Sequence, residues 1–140
     1  MQLLVLFIFL FQSIVTNPTG GTIEITVSNI KSEKGGHLSA AIFTKEYFLD
    51  NDQAILQKAI KVNASTMKMT FANVPPGEYA MAFFQDIDED EKLSTNLIGF
   101  PKEPFGFSNN AKLRFGPPSF KDAAIRVEAG KMLKLSVKLR

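Results

Sequence analysis

Residues 75–86 read PPGEYAMAFFQD, and this stretch decides the fold. Pro75, Pro76 and Gly77 form a turn signal, because proline presets φ and glycine accepts the backbone angles a turn requires. Beyond the turn, Tyr79, Met81 and Phe83 alternate with Ala80, Ala82 and Phe84, so both faces of the segment are apolar. A strand with two apolar faces is covered on both sides. The small residues on one face suit a close neighbour. Residues 79–84 are therefore predicted to form a central strand.

Working outward, the flanking segments carry one apolar face each. Ile23, Ile25 and Val27 alternate with Glu24, Thr26 and Ser28. Leu38, Ala40 and Ile42 form the next inward set, and Ile60 with Val62 a short one. Met67, Met69 and Phe71 alternate with Lys68, Thr70 and Ala72; Leu133, Leu135, Val137 and Leu139 alternate with Lys134, Ser136, Lys138 and Arg140. Period two marks half-buried strands, and a slip of one residue would expose each set, so register is well specified. Gly35-Gly36 marks a turn between the first two strands. About seven such strands with no strong helix predict an all-β fold, an antiparallel β-sandwich.

Two segments break the pattern. Residues 45–58 are predicted to be a loop with about one helical turn near residues 53–58. Residues 95–120 hold Pro101, Pro104, Pro117 and Pro118 together with Gly99, Gly106 and Gly116. They also hold Phe100, Phe105, Phe107, Phe115 and Phe120, an aromatic content that argues against disorder. This stretch is predicted to fold over the sandwich as an ordered flap.

Composition bounds the rest. A length of 140 residues accommodates one domain, with 45% hydrophobic and 21% charged residues. The net charge of +2 is too small to argue for nucleic acid as a partner. With no Cys there are no disulfides, thiolate metal sites or Cys nucleophile, so the core alone must hold the domain. Leu3 to Phe11 read LLVLFIFLF, shorter than the about 20 residues that span a bilayer, and matching the core of a secretory signal. Residues 1–16 are expected to be a signal peptide and residues 17–140 a single β-sandwich domain. The domain is then secreted or periplasmic, with no stable membrane span once the leader is removed.

One polar segment has the look of a site. Asp86, Asp88 and Asp90 stand at alternate positions where the central strand ends, the opening of a calcium loop. Lys92 adds a carbonyl, and Ser94 and Asn96 add side-chain oxygens, to a set expected to hold calcium. Glu91 stands where such a loop has glycine, a position of positive φ. A solvated acidic turn, or a carboxylate cluster for another ligand, are the competing readings. Ser108-Asn109-Asn110 is a second cluster, either a structural turn or a source of oxygens for a ligand site shared with the acidic loop. Catalytic constellations are poor: His37 is the only His, and Ser108 lacks the second glycine of a nucleophile elbow.

Several of these motifs in order resemble a family of small exported, mostly bacterial proteins known as a domain of unknown function. They are Pro76-Gly77-Glu78-Tyr79-Ala80, the acidic loop, Gly99-Phe100-Pro101-Lys102-Glu103, Gly106-Phe107-Ser108-Asn109-Asn110, and Phe115-Gly116-Pro117-Pro118-Ser119-Phe120. The family's loop runs Asp-x-Asn-x-Asn-Gly-x-Leu-Asp-x-Asn; here Asp88 and Asp90 replace Asn, Glu91 replaces Gly and Ser94 replaces Asp. The strand entry at Pro76 also resembles transthyretin-like and carboxypeptidase-regulatory-like sandwiches. The resemblance implies export and a sandwich fold; the expected function is a non-enzymatic module that binds calcium, or an unidentified ligand or protein, at the acidic loop. A hydrolase using the loop carboxylates and an adhesive module are the alternatives.

Overall fold

The structure is a computed structural model that describes residues 19–91 and 101–140. The expected leader, residues 1–16, lies outside them. Among the described residues, eight strands form two sheets. In chain order these are β1 (Gly21–Ser28), β2 (His37–Phe43), β3 (Leu56–Lys61), β4 (Met67–Val74), β5 (Gly77–Asp86), β6 (Phe105–Phe107), β7 (Ile125–Val127) and β8 (Met132–Lys138). One sheet runs β4-β1-β8; the other runs β3-β2-β5-β6, with β7 pairing the start of β5. The segment that decides the fold is central, as expected: β5 lies between β2 and β6, and Tyr79, Ala80, Met81 and Phe83 are buried.

Alternation fills the space between the sheets. Ile23, Ile25 and Val27 of β1 meet Leu38 and Ile42 of β2, Met69 and Phe71 of β4, and Met81 and Phe83 of β5 in one cluster. Each such side chain contributes about 1.5–3 kcal/mol when fully buried. A second cluster lies on the opposite face of β5, where Ala80, Phe105, Phe107, Ala111 and Ala123 pack with Phe48 and Phe120. The Ala face of β5 thus has its close neighbour, supplied partly by the 101–120 segment. Of the flap expected over residues 95–120, residues 95–100 lie outside the described ones; residues 101–120 are ordered, and their Phe-Gly-Phe core has become β6. Gly106 lets β6 approach β8, since a Cβ there would stand 3.0 Å from Val137.

Three details differ from expectation. The pairs are antiparallel except that β1 and β8 run parallel. Period two is the same in both arrangements, so strand direction has no signature in the alternation. The helical turn expected near 53–58 is a 3-10 turn at Asn51–Gln53, and β3 begins at Leu56. Asp50 fixes that earlier turn by accepting from the Asp52 N–H at 3.2 Å. Finally, β6 and β7 are three residues each, too short for alternation to reveal. No helix among the described residues is long and apolar enough to cross a membrane.

Candidate metal centre

The outward face of β5 is Ala80, Ala82, Phe84 and then Asp86, because every second residue points the same way. Phe84 pairs with Phe105 of β6. The Gln85 N–H donates to the Pro104 carbonyl at 2.8 Å, which carries the two chains one step further together. The next outward position on one side is Asp86 and on the other Glu103. Both are buried, at 2% and 6% exposure. The chain then curls so that Asp88 joins them, and oxygens of Asp86, Asp88 and Glu103 all lie within 4.8 Å of one another.

Backbone donors hold this arrangement. The Glu91 N–H donates to Asp86 Oδ2 at 2.8 Å, the Ile87 N–H to Glu103 Oε1 at 3.0 Å, and the Asp90 N–H to Asp88 Oδ1 at 3.4 Å. Glu89 and Glu91 adopt left-handed backbone, with φ of 57° and 63°. Glu91 thus occupies the positive-φ position at which glycine was expected, at a cost of about 1–2 kcal/mol. His37, opposite Asp86 in β2, places Nδ1 3.4 Å from Glu89 Oε1.

Asp86 is the strained member. Its Oδ1 is buried and has no hydrogen-bond partner among the described residues. Burial, which disfavours the charged form, raises its pKa above the ordinary 3.8. The Glu91 N–H opposes this, while the neighbouring Asp88 and Asp90 add to it. The group resists ionisation unless a positive charge arrives.

The convergent set is not identical to the expected one. Asp86 and Asp88 belong to it; Asp90 adds its charge and its N–H. Lys92, Ser94 and Asn96 lie outside the described residues. Glu103 was missed by sequence reasoning, although one signal was present: an acid two positions before an apolar Phe-x-Phe strand falls on the same face as the two rings.

Ser108, Asn109 and Asn110 stand elsewhere. Ser108 lies against Met81, five positions up β5 from Asp86, or about 16 Å along an extended strand. Its buried Oγ accepts from the Met81 N–H at 2.9 Å and donates to the Ala123 carbonyl. Asn109 donates to the carbonyls of Asp122 and Ala124 at 3.2 and 2.8 Å. Asn110 acts as a strand edge for β8, donating to Ser136 O at 3.3 Å and accepting from Lys138 N–H at 2.8 Å. These polar groups join β5, β8 and the short helix α1 (Phe120–Ala123). Ser108→Ala leaves a buried N–H and a buried carbonyl without their partner. Urea denaturation is expected to show a loss of about 1–3 kcal/mol; an unchanged midpoint would deny Ser108 this clasping role.

Residues 25–134 match a family model described as an uncharacterized protein conserved in bacteria (DUF2141). The match runs from within β1 into β8 and contains all three carboxylates. No curated protein and no solved structure matches the chain.

Proposed function

The chain belongs to the bacterial DUF2141 family, and on that premise we propose that it is an exported, non-enzymatic β-sandwich module that binds a hard divalent cation, calcium foremost, through Asp86, Asp88 and Glu103. The observation that carries this reading is the buried, unpartnered Oδ1 of Asp86 beside two further carboxylates. Carboxylate charges about 4 Å apart repel by about 4 kcal/mol at an effective dielectric of 20, and a cation converts that repulsion to attraction. Oxygens bound to one calcium at about 2.3–2.6 Å stand at most about 5 Å apart, which accommodates the 4.8 Å limit of the cluster. The donors are all oxygens, which favours calcium, magnesium or manganese over zinc or copper.

Export fits the same reading. Extracellular calcium modules work at Kd values of about 10⁻⁴–10⁻³ M. Lys92, Ser94 and Asn96, outside the described residues, are the further oxygen-bearing positions that the sequence offers for the shell. The two-sheet architecture is compatible with the likeness to transthyretin-like sandwiches.

Calorimetric titration of the purified protein with calcium chloride tests the proposal. One site per chain is expected, together with a rise in melting temperature of about 10 °C at about 100-fold excess over Kd. No heat and no thermal shift at about 5 mM calcium would remove the cation from this reading.

A further inference from the structure

One flank of the sandwich is made of two open strand edges. β3 ends one sheet and β4 ends the other, and among the described residues neither pairs with a second strand. The two are consecutive, joined through residues 62–66. An open edge carries N–H and C=O groups that another strand can take up, and folded chains protect such edges with bulges and with inward-pointing lysines.

β4 has both kinds of protection. Near its end the register with β1 steps from Gly21–Val74 to Ile23–Phe71, so Ala72 and Asn73 stand against Thr22 alone. Asn73 takes left-handed backbone there, with φ of 54°. This bulge bends the strand and leaves Met67–Phe71 as its regular part.

The second protection comes from β3. Leu56, Lys58 and Ile60 stand opposite Ile42, Ala40 and Leu38, which are all buried, so the three face inward. Leu56 and Ile60 pack against the main core cluster, as such positions require. Lys58 between them is a charge at an inward position. The small side chain of Ala40 opposite leaves its stem room, and its ammonium crosses to the other sheet. There Nζ donates to the Thr70 carbonyl of β4 and lies 5.2 Å from the centroid of the Phe71 ring. A ring face attracts a cation at this distance. Lys58 is itself exposed, so it meets Thr70 from the open side of β4. The regular part of the edge is thereby occupied near its middle.

Without that ammonium the edge suits a copy of itself. Antiparallel pairing of Met67–Phe71 with the same residues of a second chain, centred on Met69, sets Lys68 opposite Thr70 and Met67 opposite Phe71. No like charges stand directly opposed, and Glu24, 3.9 Å from Lys68, offsets its charge. The contact closes on a two-fold axis.

We infer that Lys58 is an edge lock, which holds the Thr70 carbonyl and so keeps β4 from pairing with β4 of a second copy of this chain. An incoming strand must displace the ammonium from both the carbonyl and the ring. The two-fold axis also brings the second Lys58 near the first, where like charges repel.

Sedimentation equilibrium of the purified protein over the micromolar to millimolar range tests this. Lys58→Met keeps the stem and removes the charge. Wild type is expected to stay monomeric, and the Lys58→Met variant to double its mass. Hydrogen exchange at Met67–Phe71 should slow with rising concentration in the variant alone. Adding Thr70→Lys, at an exposed position, sets Lys68 against a like charge in the pairing and is expected to restore the monomer. Lys58→Ala is the second variant, should Lys58→Met not fold. A folded variant at Lys58 that stays monomeric overturns the inference. So does a wild type that dimerises, or a variant dimer indifferent to Thr70→Lys, which would form through another surface.

Discussion

Gly36→Ala is expected to destabilise the domain by about 3 kcal/mol or more, and to damage the carboxylate site with it. Gly36 has φ of 75°, in the left-handed region, where a side chain costs about 1–2 kcal/mol. Space is the larger difficulty. An added Cβ would fall on the Asp86 carbonyl oxygen and stand 2.8 Å from both the Asp86 carbonyl carbon and Ile87 Cα. These are backbone atoms, so no rotamer change relieves the contact. The start of β2 must move away from the end of β5, and the Val62 N–H bond to Gly36 O, 2.9 Å long, moves with it. Asp86 is then carried out of line with Glu103. Urea unfolding gives the first part of the result and calcium titration the second. A variant with wild-type stability would show that β2 does not approach β5 as closely as described.

Asp86→Asn should produce the second large effect, with opposite signs in the two states of the site. In the ion-free protein, burial holds the Asp86 pKa above its ordinary 3.8, so the folded state keeps this proton to higher pH than the unfolded chain. The stability contributed by that proton is complete below 3.8 and is lost as pH rises through the raised folded value. Asparagine has the same shape and no charge to bury. Without calcium the variant is expected to be more stable than wild type at neutral pH, by about 1–3 kcal/mol, and to lose this part of the pH dependence. With calcium the order reverses. The variant lacks a charged ligand, and its affinity is expected to fall at least about tenfold, the equivalent of about 1.4 kcal/mol. Melting curves between pH 4 and 8, roughly the range in which carboxylates and histidine titrate, measure both effects. A variant destabilised without calcium would mean that Asp86 serves the fold and not an ion.

These two residues also mark what was legible beforehand. The alternation through Ile23–Val27, Leu38–Ile42, Met67–Phe71 and Leu133–Leu139 placed the core because each residue's face is set by its own backbone and that of its neighbours. The two apolar faces of Tyr79–Phe84 placed the central strand for the same reason, since hydrophobicity on both sides requires cover on both sides. Two of the three carboxylates of the site were legible too. Asp86 and Asp88 stand on one chain at a spacing that turns can gather.

Glu103 was not legible in that way. It reaches Asp86 only because β6 pairs with β5 in a register that puts Phe105 opposite Phe84, and no local pattern in three residues fixes that register. The parallel pairing of β1 with β8 was hidden likewise, as period two does not encode a partner's direction. The polar appearance of Ser108-Asn109-Asn110 was clear in sequence, but its bonds run to Met81, Ala123, Ser136 and Lys138, partners visible only once the sheets are assembled. The sequence by itself determined strands, inward faces and turns, all properties of neighbouring residues. Tertiary structure decided which strands lie side by side, and so which distant polar groups share a buried space, because that depends on the joint packing of both sheets.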